Sequence, residues 1–264
     1  MEIIFQQKEK TYLSKSLDSF LINISQTTRF VGTYFIEVFR SPFEWKEFGR
    51  QCYKIGCNSL PLISLTGFII GIVFTKQSRP ALTDFGATSW LPSLIGIAVI
   101  KTLAPLITAL ISSGKVGSSI GAELGAMKVT EQIDAMDVSA SKPYKYLVVT
   151  RVTAATLMMP LLMLYTALVG LMGAYINILV NEHTTITTFV IEAFEKISFL
   201  DFSGSMIKAT AYGFTIGMVA CYKGFTTTLG TEGVGKAANM AVVTSMYIIF
   251  IEELVIVQVL GWFR

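Results

Sequence analysis

The chain has 264 residues, of which 52% are hydrophobic and 15% charged, and its mean hydropathy is +0.59. That composition excludes an ordinary soluble domain and points to an integral membrane protein. The net charge of +3 is too small to suggest a nucleic-acid partner, and three cysteines at 52, 57 and 221 match neither a metal spacing nor a disulfide framework, so they read as packing residues.

The opening MEIIFQQKEK lacks the basic start, apolar core and cleavage site of a secretory signal. Residues 16–40 place Leu17, Phe20, Leu21, Ile24, Val31, Phe35 and Val38 at helical spacing, with Asp18, Asn23, Gln26, Arg29 and Arg40 off that stripe. Such a segment is too polar to span a bilayer and is expected to lie in its interface as an amphipathic helix. After the Ser41-Pro42 break, Phe43 to Lys54 mixes aromatics with bases, as membrane-interface residues do.

Ile55 to Thr75 is uncharged and long enough to cross a hydrocarbon core of about 30 Å. Lys76 to Pro92 reads as a connector, and Leu94 to Ser113 as a second span interrupted by Lys101 and Pro105. A third span covers 152–181, a fourth 205–222 and a fifth 237–262, the last carrying Glu252 and Glu253. Between them, 182–204 reads as an acidic, Thr-rich loop and 223–236 as a Gly-rich loop. The expected fold is therefore an all-α integral membrane protein. It has an interfacial amino-terminal region over 1–54 and a transmembrane domain of five helices over 55–264.

The middle of the chain, Gly121 to Pro143, combines charge with helical periodicity. Leu124, Met127, Ile133, Met136 and Val138 are spaced by threes and fours, with Glu123, Lys128, Glu131, Asp134 and Asp137 between them. Thr130 is expected to cap a helix starting at Glu131, and Ser141-Lys142-Pro143 to end it. This amphipathic helix between spans two and three is expected to dock onto a soluble partner. Lys and Arg concentrate in the amino-terminal region, the central segment and the Gly-rich loop, so these are expected in the cytoplasm, with the carboxyl terminus outside.

Gly230 to Lys236 fits G-x4-G-K, but Ala237 stands where a Ser or Thr must reach Mg²⁺ and no strand precedes the glycines, so a nucleotide site is rejected. His183 is the only histidine, which leaves no metal site or Ser-His-Asp triad to assemble. Charges inside spans are costly and usually paired or functional. Lys101 therefore either pairs with Glu252 or Glu253, or faces a lipid headgroup or pathway.

Gly114-Lys115-Val116-Gly117-Ser118-Ser119, then Ala122 through Met136, Pro143, Tyr146 to Val149, Arg151 and Gly233 to Ala237 together resemble the signature of the MlaE/YrbE family, over about residues 15–264. The resemblance implies a permease subunit of an ABC transporter in a bacterial inner membrane. It would move phospholipid to or from an MCE-type periplasmic protein, as a homodimer on two copies of a separate ATPase. ATP and Mg would bind that ATPase, and no cofactor is expected on this chain. It also implies that the central segment is the coupling helix, with Glu123, Leu124, Met127, Lys128, Thr130, Glu131, Gln132, Asp134, Met136 and Asp137 facing the ATPase. By position, a lipid cavity would involve Phe74, Gln77, Leu82, Phe85, Lys101 and Leu103. The family often has Arg-Glu where this chain has Lys101-Thr102, and usually Asp at the position of Glu253. Two rival classes are weaker. An ion-coupled transporter using Lys101 and Glu252/Glu253 lacks internal repeats, and a membrane enzyme lacks a catalytic cluster.

Overall fold

The computed structural model describes residues 15–40, 43–139, 142–182, 184–228 and 230–262. His183, Ser141 and the Ser41-Pro42 break lie outside these. Among the described residues the chain is helical throughout, with no strand, because an apolar chain in lipid must satisfy every backbone N–H and C=O within its own segment.

Residues up to Arg40 form one unit, described by itself. It holds α1 (Lys15–Val38), in which Thr28 and Thr33 donate back to the Ile24 and Arg29 carbonyls and Arg40 pairs with Glu37 at 2.9 Å. Leu21, Ile22, Phe35 and Ile36 are exposed on it.

The second unit begins at Ser41 and contains ten α-helices among its described residues. In chain order these are α2 (Trp45–Gly56), α3 (Leu60–Asp84), α4 (Leu91–Ala98), α5 (Ala104–Ser112), α6 (Ser118–Val129), α7 (Gln132–Val138), α8 (Thr150–Glu182), α9 (Ile186–Glu195), α10 (Phe199–Phe225) and α11 (Gly230–Trp262). Four helical runs are long and apolar enough to cross a membrane: Trp45–Asp84, Thr88–Val129, Tyr144–Glu182 and Gly230–Trp262. The expected fourth span, 205–222, lies within α10, which at 27 residues is long enough but is made polar by Asp201, Lys208 and Lys223. It tolerates Asp201 and Lys208 because they pair with Lys101 and Glu253 within a helix packed on α8, α11, α6 and α5, while Lys223 lies half-buried in its last turn.

The second span is continuous from Thr88 to Val129 only through two π-helical turns, at Val99–Leu103 and Ser113–Gly117. The first directly precedes Pro105, whose missing N–H and bulky ring cannot accommodate the Lys101 carbonyl in an α-turn, so the backbone widens there. Three expected loops prove to be partly helical. The connector at 76–92 shrinks to the segment after Asp84, because α3 continues through Pro80, held to the end of α8 by Arg79, which meets Glu182 at 3.3 Å and the Asn177 carbonyl at 3.4 Å. The 182–204 loop contains α9, whose Phe189 and Ala193 are buried against α4. The Gly-rich stretch likewise supplies the first turns of α11 rather than a connector.

Leu91, Ile95, Val99 and Ile100 pack against Met163, Ala167 and Leu171 of α8, Phe189 of α9 and Ala209 of α10 in one buried cluster, while Ile63, Met159, Leu162, Tyr212, Ile216 and Ile249 form another. Both centre on α8. Of the cysteines only Cys221 is buried, whereas Cys57 is exposed and so is not a packing residue.

Glycines set the closest approaches. A Cβ on Gly71 would run into the Gly170 carbonyl of α8, and one on Gly96 into the Ala193 carbonyl of α9. Gly71→Val is therefore expected to push α3 off α8 and destabilise the fold by roughly 3 kcal/mol or more, above the usual overpacking cost of about 1–3 kcal/mol because rigid backbone is in the way. Gly49→Ala, in open space on α2, should instead stabilise by about 0.5–1 kcal/mol. Melting temperatures of the two variants in detergent should move in opposite directions; equal melting would refute the close approach.

Candidate functional site

Two groups of residues stand out, one at each end of the helical bundle. The first is the segment around α6 and α7. Small residues on one face of α6 let it lie against α10 and α11. A Cβ on Gly121 would sit 3.1 Å from Ala241 Cβ, and one on Gly125 would sit 3.3 Å from Thr227 Oγ1. Leu124, between them, is fully buried beneath Gly224, so it is unavailable to a partner, contrary to expectation.

Glu123 is also committed within the chain. It accepts from Lys54 Nζ of α2 at 2.6 Å and from Arg151 Nη2 of α8 at 2.9 Å. The Arg151 side chain is 3% exposed and its Nη1 donates to the Leu147 carbonyl at 3.0 Å. This clamp joins three helices, so Glu123 does not project outward as a free carboxylate.

The single helix expected over 121–143 is instead two helices with a corner. Thr130 ends α6 rather than starting the next one: its Oγ1 donates to the Ala126 carbonyl at 2.8 Å. Glu131 adopts the left-handed region with φ 58°, turning the chain so that α7 starts at Gln132. Lys128 reaches across this corner to Asp134 at 2.6 Å. Ile133 is the one buried residue of α7. Glu131, Gln132, Asp134, Asp137 and Val138 face outward, Met127, Lys128 and Met136 are half-buried, and Val138 is 90% exposed.

The second group lies on α10, α11 and the first π-turn. Lys101 Nζ meets Asp201 Oδ1 at 2.9 Å, while Lys208 Nζ meets Glu253 Oε1 at 2.6 Å. Glu253 also accepts from the Tyr212 hydroxyl, and Glu252 from Thr215 Oγ1. Of the two alternatives for Lys101, pairing with Glu252 or Glu253 is ruled out. Its partner is Asp201, which lies not in a loop but in the first turn of α10, capped by Ser198. Asp201, Ser205, Lys208, Tyr212 and Thr215 recur at three- and four-residue spacing, so they line one face of α10, and all are buried. Between Lys101, Leu200, Asp201, Ser205, Lys208, Val257 and Leu260 lies a cavity of about 180 Å³.

The residues expected to touch lipid divide into two sets. Phe74, Leu82 and Leu103 are partly buried against the cluster around Ile95 and Val99, whereas Gln77 is exposed and Phe85 is 85% exposed. Leu103 borders a cleft with Gly67, Gly71, Val99 and Gly170, whereas Lys101 borders the cavity beside Asp201 and Lys208. Lys54 and Asp201 had not been expected at either site; no periodicity signals a contact spanning 69 residues of sequence. Among the described residues no group of His, Cys, Asp and Glu could hold a metal ion.

The family model described as Permease MlaE matches residues 48–259. A protein of Rickettsia typhi named as a probable ABC transporter permease is 36% identical over 80% of this chain and 82% of its own length. One of Synechocystis with the same kind of name is 33% identical over 84% of both chains. The chloroplastic protein TRIGALACTOSYLDIACYLGLYCEROL 1 of Arabidopsis thaliana is 31% identical over 85% of this chain and 64% of its own length. A multi-pass helical membrane protein with these relatives is a transporter permease rather than an enzyme, and the chain belongs to the MlaE permease family.

Proposed function

We propose that this permease is the membrane subunit of an ABC transporter for phospholipid, working as a homodimer with two copies of a separate ATPase and exchanging lipid with an MCE-type protein outside an inner membrane. In this reading all of α3, α4–α5, α8, α10 and α11 cross the bilayer, α1 lies in the interface, the amino terminus and α7 are cytoplasmic, and the carboxyl terminus is periplasmic. The observation that carries it is the α6–α7 corner. The second span runs on past any membrane thickness and ends in a short helix held by the buried Ile133 and the Lys128–Asp134 pair, with Glu131, Asp137 and Val138 turned outward. Motion delivered to α7 reaches α2 and α8 through the Glu123 clamp.

Lipid as cargo is supported by the other end of the bundle. Lys101 and Lys208 border the cavity of about 180 Å³ together with Asp201 and the apolar Val257 and Leu260, so a phosphate joined to acyl chains would take their ammonium groups in competition with Asp201 and Glu253. Phe85 and Gln77, exposed here, would line the lipid path only when a second copy covers them. ATP binding on the partner would draw the two copies together and squeeze lipid from between them.

The direct test is recovery of the ATPase with tagged permease. Val138→Asp, or Glu131→Lys with Asp134→Lys, is expected to reduce the recovered ATPase at least tenfold, about 1.4 kcal/mol or more for an exposed anchor at the centre of an interface, without altering the melting temperature of the permease. Undiminished recovery in both variants would remove the coupling role. An ion-coupled mechanism has one observation in its favour, the buried Glu252 Oε2 with no hydrogen-bond partner. It predicts transport that stops when the proton gradient collapses while ATP remains.

A further inference from the structure

The far end of α10 carries a second cationic cavity. Lys223 lies about four helical turns beyond Lys208 on the same helix, roughly 22 Å away at 1.5 Å per residue. We propose that the cavity of about 250 Å³ between the end of α10 and the start of α11, lined by Lys223, Thr226, Thr228, Lys236 and Met240, binds the phosphate of an anionic phospholipid from the leaflet on the side of the coupling segment. This lipid is separate from the cargo.

The donor set suits a phosphate diester. Two ammonium groups from different helices and the Thr228 hydroxyl line one opening, while the Thr226 and Thr227 hydroxyls donate to the Tyr222 and Lys223 carbonyls. Among the described residues neither lysine makes an ion pair with a carboxylate, Glu232 one turn before Lys236 included. Two like charges held beside one opening with no internal counter-ion repel each other, and an anion between them relieves that repulsion.

Apolar surface next to the opening decides between a lipid and a soluble anion. Met240, on the cavity wall, is 40% exposed, and further along α11 Val243 and Tyr247 are 38% and 69% exposed. Ammonium and hydroxyl groups thus sit where the lipid-facing wall of α11 begins, matching a headgroup with its chains running down that wall. The G-x4-G-K sequence does not make this a nucleotide site, since Gly230 to Lys236 are the first turns of a helix rather than a loop wrapped around a phosphate.

Occupancy would be felt at the coupling segment. The α10–α11 junction is the surface on which α6 lies, with the Gly125 position 3.3 Å from Thr227 Oγ1 and 3.6 Å from Val234 Cα. A lipid bridging Lys223 and Lys236 therefore braces the seat of α6. Only the choice of leaflet rests on the topology proposed above; binding itself does not.

The test uses full-length protein in neutral detergent, titrated with fluorescent phosphatidylglycerol and with equally labelled phosphatidylcholine. Phosphatidylglycerol is expected to bind more tightly, with Lys223→Gln/Lys236→Gln weakening that binding about twenty-five-fold, the product of roughly fivefold for each ammonium group. Lys223→Arg/Lys236→Arg should stay within about threefold of the parent, and Lys46→Gln should change nothing. Equal binding of the two lipids by the parent, or undiminished phosphatidylglycerol binding by the Gln pair, overturns the proposal. Displacement by inorganic phosphate at equal concentration overturns the lipid assignment in favour of a soluble anion.

Discussion

Glu123→Ala is expected to lower the stability of the permease by about 3 kcal/mol, at the low end of the range for breaking a buried ion pair. The reason is the asymmetry of the pair. Glu123 is a third exposed and by itself would matter little, but the Arg151 side chain is 3% exposed. Once the carboxylate is gone, the guanidinium keeps only the Leu147 carbonyl, and its Nε already lacks a partner. A full positive charge would then be left among α2, α6 and α8 with no counter-ion. Lys54, 41% exposed, can turn into solvent and adds little to the loss. Removing both charges, Glu123→Gln with Arg151→Met, should restore most of the stability, because a neutral pair of similar volume carries no desolvation debt. Thermal unfolding in detergent checks both. Should Glu123→Ala melt like the parent, or the double variant melt lower than the single one, the clamp does not hold these helices. The same clamp predicts that Glu123→Ala loses ATP-driven transport even at temperatures where it remains folded, since α7 would then move without α8.

Lys208→Ala is expected to have an effect at least as large, about 3–5 kcal/mol. The Lys208 side chain is 2% exposed and that of Glu253 14%. Truncating the lysine leaves the Glu253 carboxylate, only 14% exposed, with the Tyr212 hydroxyl as its one remaining side-chain partner. Lys208→Met with Glu253→Gln should again recover stability, while transport stays lost because the cavity of about 180 Å³ then has only Lys101 to meet a phosphate. This split separates the two roles of Lys208. A double variant that transports at the parent rate would limit Lys208 to structure. Glu253→Asp supplies a finer test: one methylene shorter, the carboxylate cannot keep both Lys208 at 2.6 Å and Tyr212, and the loss of a charge-assisted hydrogen bond costs about 1.5–3 kcal/mol. Melting unchanged by Glu253→Asp would show that α11 shifts to follow the shorter side chain.

Several features were legible in the residues because their causes are local. Uncharged runs such as Ile55 to Thr75 can only be membrane helices. Pro105, so close after Lys101, marks a disturbance in the second span, which appears as a π-turn. The missing hydroxyl at Ala237 argued against a nucleotide site before α11 was seen to begin at Gly230. The failures have causes too. Thr130 is as good a helix opener as a closer by residue type, and only the left-handed Glu131 beside it selects the second role. The 182–204 segment looked like a loop because its acids and threonines outweigh Phe189 and Phe194 in composition, yet packing on α4 makes it helical. Gly71 and Gly96 were indistinguishable from glycines in open space such as Gly49 until the neighbouring backbones were in place.

What the sequence determined by itself is the class of molecule: an apolar, helical, membrane-embedded chain with an acidic segment between its second and third spans and the signature of the permease family. Tertiary structure alone decided which charge neutralises which. Lys101 chooses Asp201, Lys208 chooses Glu253, and Glu123 joins Lys54 to Arg151. Helical periodicity sets the face on which each charge lies, but the pairing depends on which faces meet when α8 and α10 take the centre, and that follows from close packing among helices far apart in the chain.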